Sequence, residues 1–162
     1  MSHTEADALW LRRAIELSRQ SVAAGDYAFG AVVVARDGSV VAEAIQTVAK
    51  SGDPLGHAEM NALGQLFPKW SRKELAGATL CSTEPCPMCS GAVAWCLNRL
   101  VFGLSQASMY ALDPEAAPRF EEPWDSRRLF TTVRPVFEAI GPLLEQEAAD
   151  VHRMWRVANP NG

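Results

Sequence analysis

Gly77-Ala78-Thr79-Leu80-Cys81-Ser82-Thr83-Glu84-Pro85-Cys86-Pro87-Met88-Cys89 is the stretch on which the fold of this chain turns. Gly77 to Ser82 is a short apolar run of strand length. Pro85-Cys86-Pro87 then opens a helix to about Cys96, with Pro87 in the first turn, where a missing N–H costs nothing. Leu100 to Leu104 reads as the next strand. Upstream, Phe29 to Ala35 and Val40 to Val48 are strand-like runs joined by Arg36-Asp37-Gly38-Ser39, whose Asp-Gly pair is a hairpin signal. Gly52 to Gly56 is a loop leading into a helix from about His57 to Phe67. Further out, Asp7 to Ala24 is an amphipathic helix capped by Thr4 or Asp7 and stopped by Gly25. Asp113 to Asp125 reads as a proline-rich acidic surface loop, Arg134 to Ile140 as a last strand, and Pro142 to Val157 as a closing helix. A hairpin followed by helix-strand-helix-strand predicts an α/β fold, a central sheet layered with helices.

The bulk numbers set the class. The 162 residues, 48% hydrophobic and 21% charged, predict one domain over 1–162 with a core that needs no disulfides. A formal charge of −4 argues against a nucleic-acid partner, which needs a basic footprint. Arg12, Arg13 and Arg19 near one end, and Arg127 and Arg128 near the other, are expected on solvated faces in local ion pairs. No apolar run approaches the roughly 20 residues that span a bilayer. Met1-Ser2-His3-Thr4-Glu5 lacks the basic start and apolar stretch of a secretory signal, so a reducing cytoplasmic setting is expected for the four cysteines.

Cys86 and Cys89 are three residues apart, so on a helix they share one face and can grip one ion. The positive end of that helix favours thiolate over thiol. His57 opens the other predicted helix. One imidazole and two thiolates can hold zinc and leave its fourth tetrahedral position to water, whereas a structural site closes with four ligands. Glu59 can approach that water without being a ligand, take its proton and deliver it to a departing amine. This spacing, H-x-E and then P-C-x-x-C, points to hydrolysis of an exocyclic amine on a nucleobase-like ring. Three other readings remain open: a redox pair, a structural zinc site recruiting Cys81, and a buried structural His57 beside a surface Glu59. Strand alternation favours Cys81 as a small buried hydrophobe.

Several segments carry a family resemblance: Phe29-Gly30-Ala31-Val32-Val33-Val34, Asp53-Pro54 ahead of His57-Ala58-Glu59, Thr83 to Ala92, and Val101-Phe102-Gly103. From about Asp7 to Tyr110 the chain resembles the cytidine deaminase-like superfamily, in the branch of guanine deaminases, tRNA adenosine deaminases and yeast-type cytosine deaminase. The resemblance implies a three-layer α/β/α fold with a central mixed five-stranded sheet. It implies one zinc per subunit on His57, Cys86 and Cys89, and a homodimer or larger oligomer. It also implies hydrolytic deamination, with zinc-bound hydroxide attacking the amine-bearing carbon, Glu59 shuttling the proton and ammonia leaving. The small-molecule partner is then a nucleobase or nucleoside, with a purine such as guanine first. Cytosine-type rings, adenosine in tRNA, and a catalytically silent binding subunit are the alternatives.

For the ring itself, the resemblance implies contacts at Phe29, Gln46, Ala58, Glu84 and Trp95. Trp95 stacks on a purine in this reading, or else sits on the buried face of its helix. Gln46 departs from the asparagine that relatives place there and carries the same amide about one bond further out. His152 and Trp155, in a terminal segment echoing guanine deaminases, are expected to pack rather than catalyse.

Overall fold

The computed structural model describes residues 3–112, 125–133 and 136–160. Its sheet has five strands: β1 Gly30–Val34, β2 Val40–Ile45, β3 Thr79–Ser82, β4 Arg99–Phe102 and β5 Glu138–Ile140. Their spatial order is β2-β1-β3-β4-β5. β1 runs antiparallel to both β2 and β3, whereas β3, β4 and β5 are mutually parallel, so the sheet is mixed as expected.

Alternation along the strands sends side chains to two cores. Ala31, Val33, Leu80, Leu100 and Phe102 face one layer, packed against α3 Ala58–Gly64, α4 Arg72–Gly77, α5 Pro87–Cys96 and α7 Ser126–Phe130. Val32, Val34, Cys81, Val101 and Ile140 face the other, packed against α1 Glu5–Ala23 and α8 Glu145–Ala158. The fold is thus α/β/α. Helix on helix could not give this arrangement, because the strands are apolar on both faces and need a cover on each.

Several boundaries moved. β2 stops at Ile45, not Val48, because the chain turns at Thr47 into a four-residue helix, α2 Val48–Ser51, ended by Gly52 in a left-handed conformation. Besides α2, three further helices were not foreseen. α4 is short and closed by a Ser71–Glu74 capping box, and α6 Gln106–Leu112 and α7 lack the periodic length that the pattern search rewards. The last strand is only Glu138–Ile140, with 134–135 outside the described residues. The closing helix starts at Glu145 instead of Pro142, since Leu144 takes a left-handed conformation ahead of it. Of the expected 113–125 loop, 113–124 lie outside the described residues, and Asp125 caps α7.

Four of the five arginines expected on solvated faces lie in ion pairs, Arg12 with Glu147, Arg13 with Glu43, Arg19 with Glu16 and Arg127 with Asp125, and Arg128 is exposed. Among the described residues, no helix is long and apolar enough to cross a membrane.

One ion pair ties the layers together. Arg99, at the start of β4, donates to both oxygens of buried Asp7 in α1 at 2.7 and 3.0 Å, and to Glu138 across the strand pair at 2.5 Å. Asp7 also accepts the Thr4 N–H at 2.8 Å in the α1 capping box. Burial opposes its charge, but the Arg99 and Thr4 hydrogen bonds outweigh burial and hold its carboxyl below the ordinary carboxylate value. A lowered native pKa contributes stability that is complete above the unfolded value, about 4, and is lost as pH falls through the native one. Asp7→Ala is therefore expected to cost about 3 kcal/mol at pH 7, as for a broken buried pair. The difference from the parent protein should shrink when denaturant unfolding is repeated near pH 3. A gap of the same size at both pH values would rule out the ionic contribution.

Candidate active site

β1 begins where β3 ends. The Thr83 N–H donates to Gly30 O at 3.2 Å and Thr83 Oγ1 accepts the Gly30 N–H at 3.3 Å. Gln46 joins the same edge of the sheet, its N–H donating to Phe29 O at 3.2 Å. The segment Glu84-Pro85-Cys86 thus leaves β3 beside Phe29 and Gln46.

Two helices begin here. His57 is the N-cap of α3 and Cys86 the N-cap of α5, so both halves of the motif lie at helix starts, as the sequence indicated. Cys86 Sγ accepts the Cys89 N–H at 3.5 Å, taking the place of the usual Ser or Asp cap. Pro85 O is held by the hydroxyls of Ser126 at 3.0 Å and Ser90 at 3.4 Å, which fixes the turn into α5 from the side of α7.

His57 Nδ1 lies 3.6 Å from Cys86 Sγ and 3.5 Å from Cys89 Sγ, and the two sulfurs are 3.5 Å apart. Tetrahedral zinc, with bonds of about 2.3 Å to sulfur and 2.0 Å to nitrogen, requires S···S near 3.8 Å and S···N near 3.6 Å. The donors fit that ion within a few tenths of an ångström. Among the described residues these three form the single group able to hold a metal. Cys81 is excluded as a fourth ligand, because strand alternation buries it in the opposite core, where burial pushes its thiol up to about 12.

The electrostatics suit deprotonated sulfur. The hydrogen bond between the Cys86 and Cys89 sulfurs, followed by that to His57, draws the Cys86 thiol down to about 4. Cys89 moves up in consequence, first by that same bond and then by burial. His57 is raised, chiefly by its bond to Cys86.

Glu59, in the first turn of α3, is 1% exposed. Its Oε1 accepts the Ser82 hydroxyl at 2.5 Å, and its Oε2 lies 3.3 Å from Cys89 Sγ. Burial, and then the charge of Cys86, raise its pKa. Ser82 was missed in the sequence. A hydroxyl at the last position of a strand entering the cysteine turn was the available signal.

The remaining expected contacts separate. Gln46 and Glu84 are both 4% exposed, and Gln46 Oε1 and Glu84 Oε1 are buried with no hydrogen-bond partner among the described residues. Burial, then the charges of Cys86 and Glu59, push the Glu84 carboxyl well up. Phe29 is half-buried and meets the ring of His152 edge-on, with centroids 5.0 Å apart, while Tyr27 packs on Trp155 at 5.1 Å. Those two α8 residues pack, as expected. Ala58 is buried in the first turn of α3. Trp95 is 80% exposed, which corrects the alternative that placed it on the buried face of its helix. The buried face of α5 is Cys89, Ser90 and Val93, and a residue two beyond Val93 points the other way.

Residues 4–104 match the family described as the cytidine and deoxycytidylate deaminase zinc-binding region. A Schizosaccharomyces pombe protein named "probable cytosine deaminase" is 36% identical over 93% of this chain and 92% of its own length. The guanine deaminase of Bacillus subtilis is 40% identical over 57% of this chain and 60% of its own length. A solved guanine deaminase from Nitrosomonas europaea superposes with a TM-score of 0.78, covering 97% of this chain and 87% of the other at 20% identity, a likeness of fold.

Removal of one sulfur should empty the cluster. Cys86→Ala is expected to lose zinc, measured by elemental analysis of dialysed protein, and to loosen the start of α5. A stoichiometric zinc content in the variant would overturn the ligand assignment.

Proposed function

The chain belongs to the cytidine and deoxycytidylate deaminase zinc-binding family and is a hydrolytic deaminase; from that premise we propose that it acts on a free purine base or its nucleoside, guanine first. The observation that carries this reading is the amide of Gln46, whose buried oxygen has no donor among the described residues at the end of the sheet that bears the metal cluster. A buried acceptor left unpaired costs about 1–3 kcal/mol, which a ligand N–H can return. Guanine keeps ring N–H donors in addition to the amine it loses, so it can serve Gln46 while the amine is directed at the cluster. Phe29, half-buried and braced by His152, offers an aromatic wall to the ring. Ala58 and the backbone of Glu84 would border the amine, and Trp95 is left out of this pocket.

His57, Cys86 and Cys89 would hold the zinc, which when bound supplies a Lewis acid that makes water nucleophilic at neutral pH. Glu59 does the proton work. Its Oε1 is occupied by the Ser82 hydroxyl, so Oε2, which faces the Cys89 sulfur at 3.3 Å, is the oxygen that would carry a proton once Cys89 is a metal thiolate. Glu59 takes one from the attacking water and delivers it to a ring nitrogen, then takes the remaining proton of the added hydroxyl and delivers it to the leaving amine. Water and aminopurine thereby become oxopurine and ammonia. The burial that raises the Glu59 pKa favours holding that proton between the two transfers. An intact, seated Glu59 also weighs against a silent binding subunit.

A second reading, deamination of a cytosine-type ring, is favoured by the match to the S. pombe protein over nearly the whole of both chains. Editing of tRNA is disfavoured by a formal charge of −4 and by arginines already committed to carboxylates.

A homodimer is part of the same proposal. The exposed side of α5 presents Met88, Gly91, Ala92 and Trp95 at helical spacing, and the helix carries no charge. Laid antiparallel across a two-fold axis between positions 91 and 92, Trp95 of one copy meets Met88 of the other, and Gly91 meets Ala92, a self-complementary contact. Trp95→Glu should then sediment as a monomer where the parent sediments as a dimer, and identical sedimentation would remove α5 from the interface.

The activity test is ammonia release from zinc-loaded protein across guanine, adenine, cytosine and their nucleosides. Turnover of guanine is the expected result, and preference for cytosine would replace the purine reading by the second. Glu59→Ala should retain zinc and lose at least about a hundredfold in kcat, the lower range for general acid–base catalysis. Parent-like turnover would show that the proton travels elsewhere.

A further inference from the structure

Asn61 is a residue that neither the motif nor the proton transfer uses, yet it makes the most connected side-chain contact near the site. Its Nδ2 reaches Ile45 O at 3.0 Å, Thr47 Oγ1 at 3.1 Å and Gly56 O at 3.2 Å. Two of these acceptors are carbonyls, so the amide can be oriented in one way only, with its nitrogen toward these three oxygens. Thr47 completes the knot: its N–H and its hydroxyl both donate to Gly56 O, at 2.8 and 3.3 Å. The approach is close enough that a Cβ on Gly56 would lie 2.6 Å from Thr47 Oγ1. The segment from 48 to 55, including α2, is therefore an excursion pinched shut at its neck.

The neck joins two functional positions. Ile45 and Thr47 are the neighbours of Gln46 on either side, and Gly56 directly precedes His57. Asn61 itself lies on α3, and its N–H donates to His57 O at 2.8 Å. Gln46 is further tethered through its own N–H to Phe29 O. Gln has one more rotatable bond than Asn, so its amide oxygen samples a wider arc unless the backbone beneath it is held. The unpartnered, buried Gln46 Oε1 is the atom that such a hold would orient.

We propose that Asn61 is a positioning residue for ring discrimination: by locking both flanks of Gln46 to the segment that carries His57, it sets the register between the Gln46 amide and the metal-bearing helix. The proposal rests on the reading of Gln46 as a base contact. Asn61 touches neither ring nor metal and acts through Gln46. Misplacement by a fraction of an ångström is enough to change which ring is accepted.

The test combines amide exchange with a double-mutant cycle in zinc-loaded full-length protein. Asn61→Ala, and more mildly Thr47→Val, should speed hydrogen–deuterium exchange of the 45–57 backbone while β1, β3 and zinc content stay as in the parent. The kcat/KM ratio of guanine to 2,6-diaminopurine, which differ at position 6 and N1, should fall about tenfold in Asn61→Ala. Gln46→Ala should lower that ratio as well, and the double variant should lower it no further. A merely structural role would give additive losses, and additivity overturns the proposal. Unchanged exchange at 45–57 overturns it too. Gln46→Ala lowering the ratio while Asn61→Ala does not would sink the positioning role alone. Gln46→Ala leaving the ratio unchanged would sink the base-contact reading and the proposal with it.

Discussion

Three donor atoms, His57 Nδ1, Cys86 Sγ and Cys89 Sγ, meet at 3.5–3.6 Å, and that spacing exists because two helices begin side by side at one end of the sheet. Helix starts carry unpaired N–H groups and partial positive charge, so they accommodate thiolates that the apolar interior would reject. The Cys86 sulfur uses this directly by accepting the Cys89 N–H. Everything else near the site is arranged around keeping those two helix starts in register.

The sheet supplies that register. Antiparallel pairing of β1 with β3 brings Gly30 against Thr83, and α3 and α5 pack into the same core on one face of the sheet. Glu59 can then be held by Ser82, the last residue of β3, instead of by its own helix. Burial and then the charge of Cys86 raise the proton affinity of Glu59, while bonds to Cys89 and His57 lower that of Cys86, the arrangement expected where protons must move. The outer layers contribute from a distance: α8 braces Phe29 through His152, and α7 holds the Pro85 carbonyl through Ser126.

Long or strongly marked elements were readable in advance, and short ones were not. The Asp-Gly hairpin, the amphipathic α1 and the proline-opened α5 each carry a local signal that tertiary contacts reinforce. α4, α6 and α7 run only five to seven residues, too few for periodicity to register, and exist because neighbours cap or bury them. The alternative that buried Trp95 in the core failed for a different reason. A bulky aromatic on a helix with no charged residue reads as buried, but the angle between Val93 and Trp95 turns it outward.

What the sequence determined by itself was the chemistry: residue types at H-x-E and P-C-x-x-C spacing leave little else for one imidazole, two thiols and one carboxyl to do. That legibility is physical, since ligand type and helical spacing are local properties. The environment of the ring was decided only by the tertiary structure. Whether Gln46 is buried, whether its amide has a partner, and whether Asn61 reaches across to its flanks all depend on segments 10 to 30 residues apart being folded against one another. No local pattern encodes such distances, because they are set by how strands pair and how helices settle on the sheet.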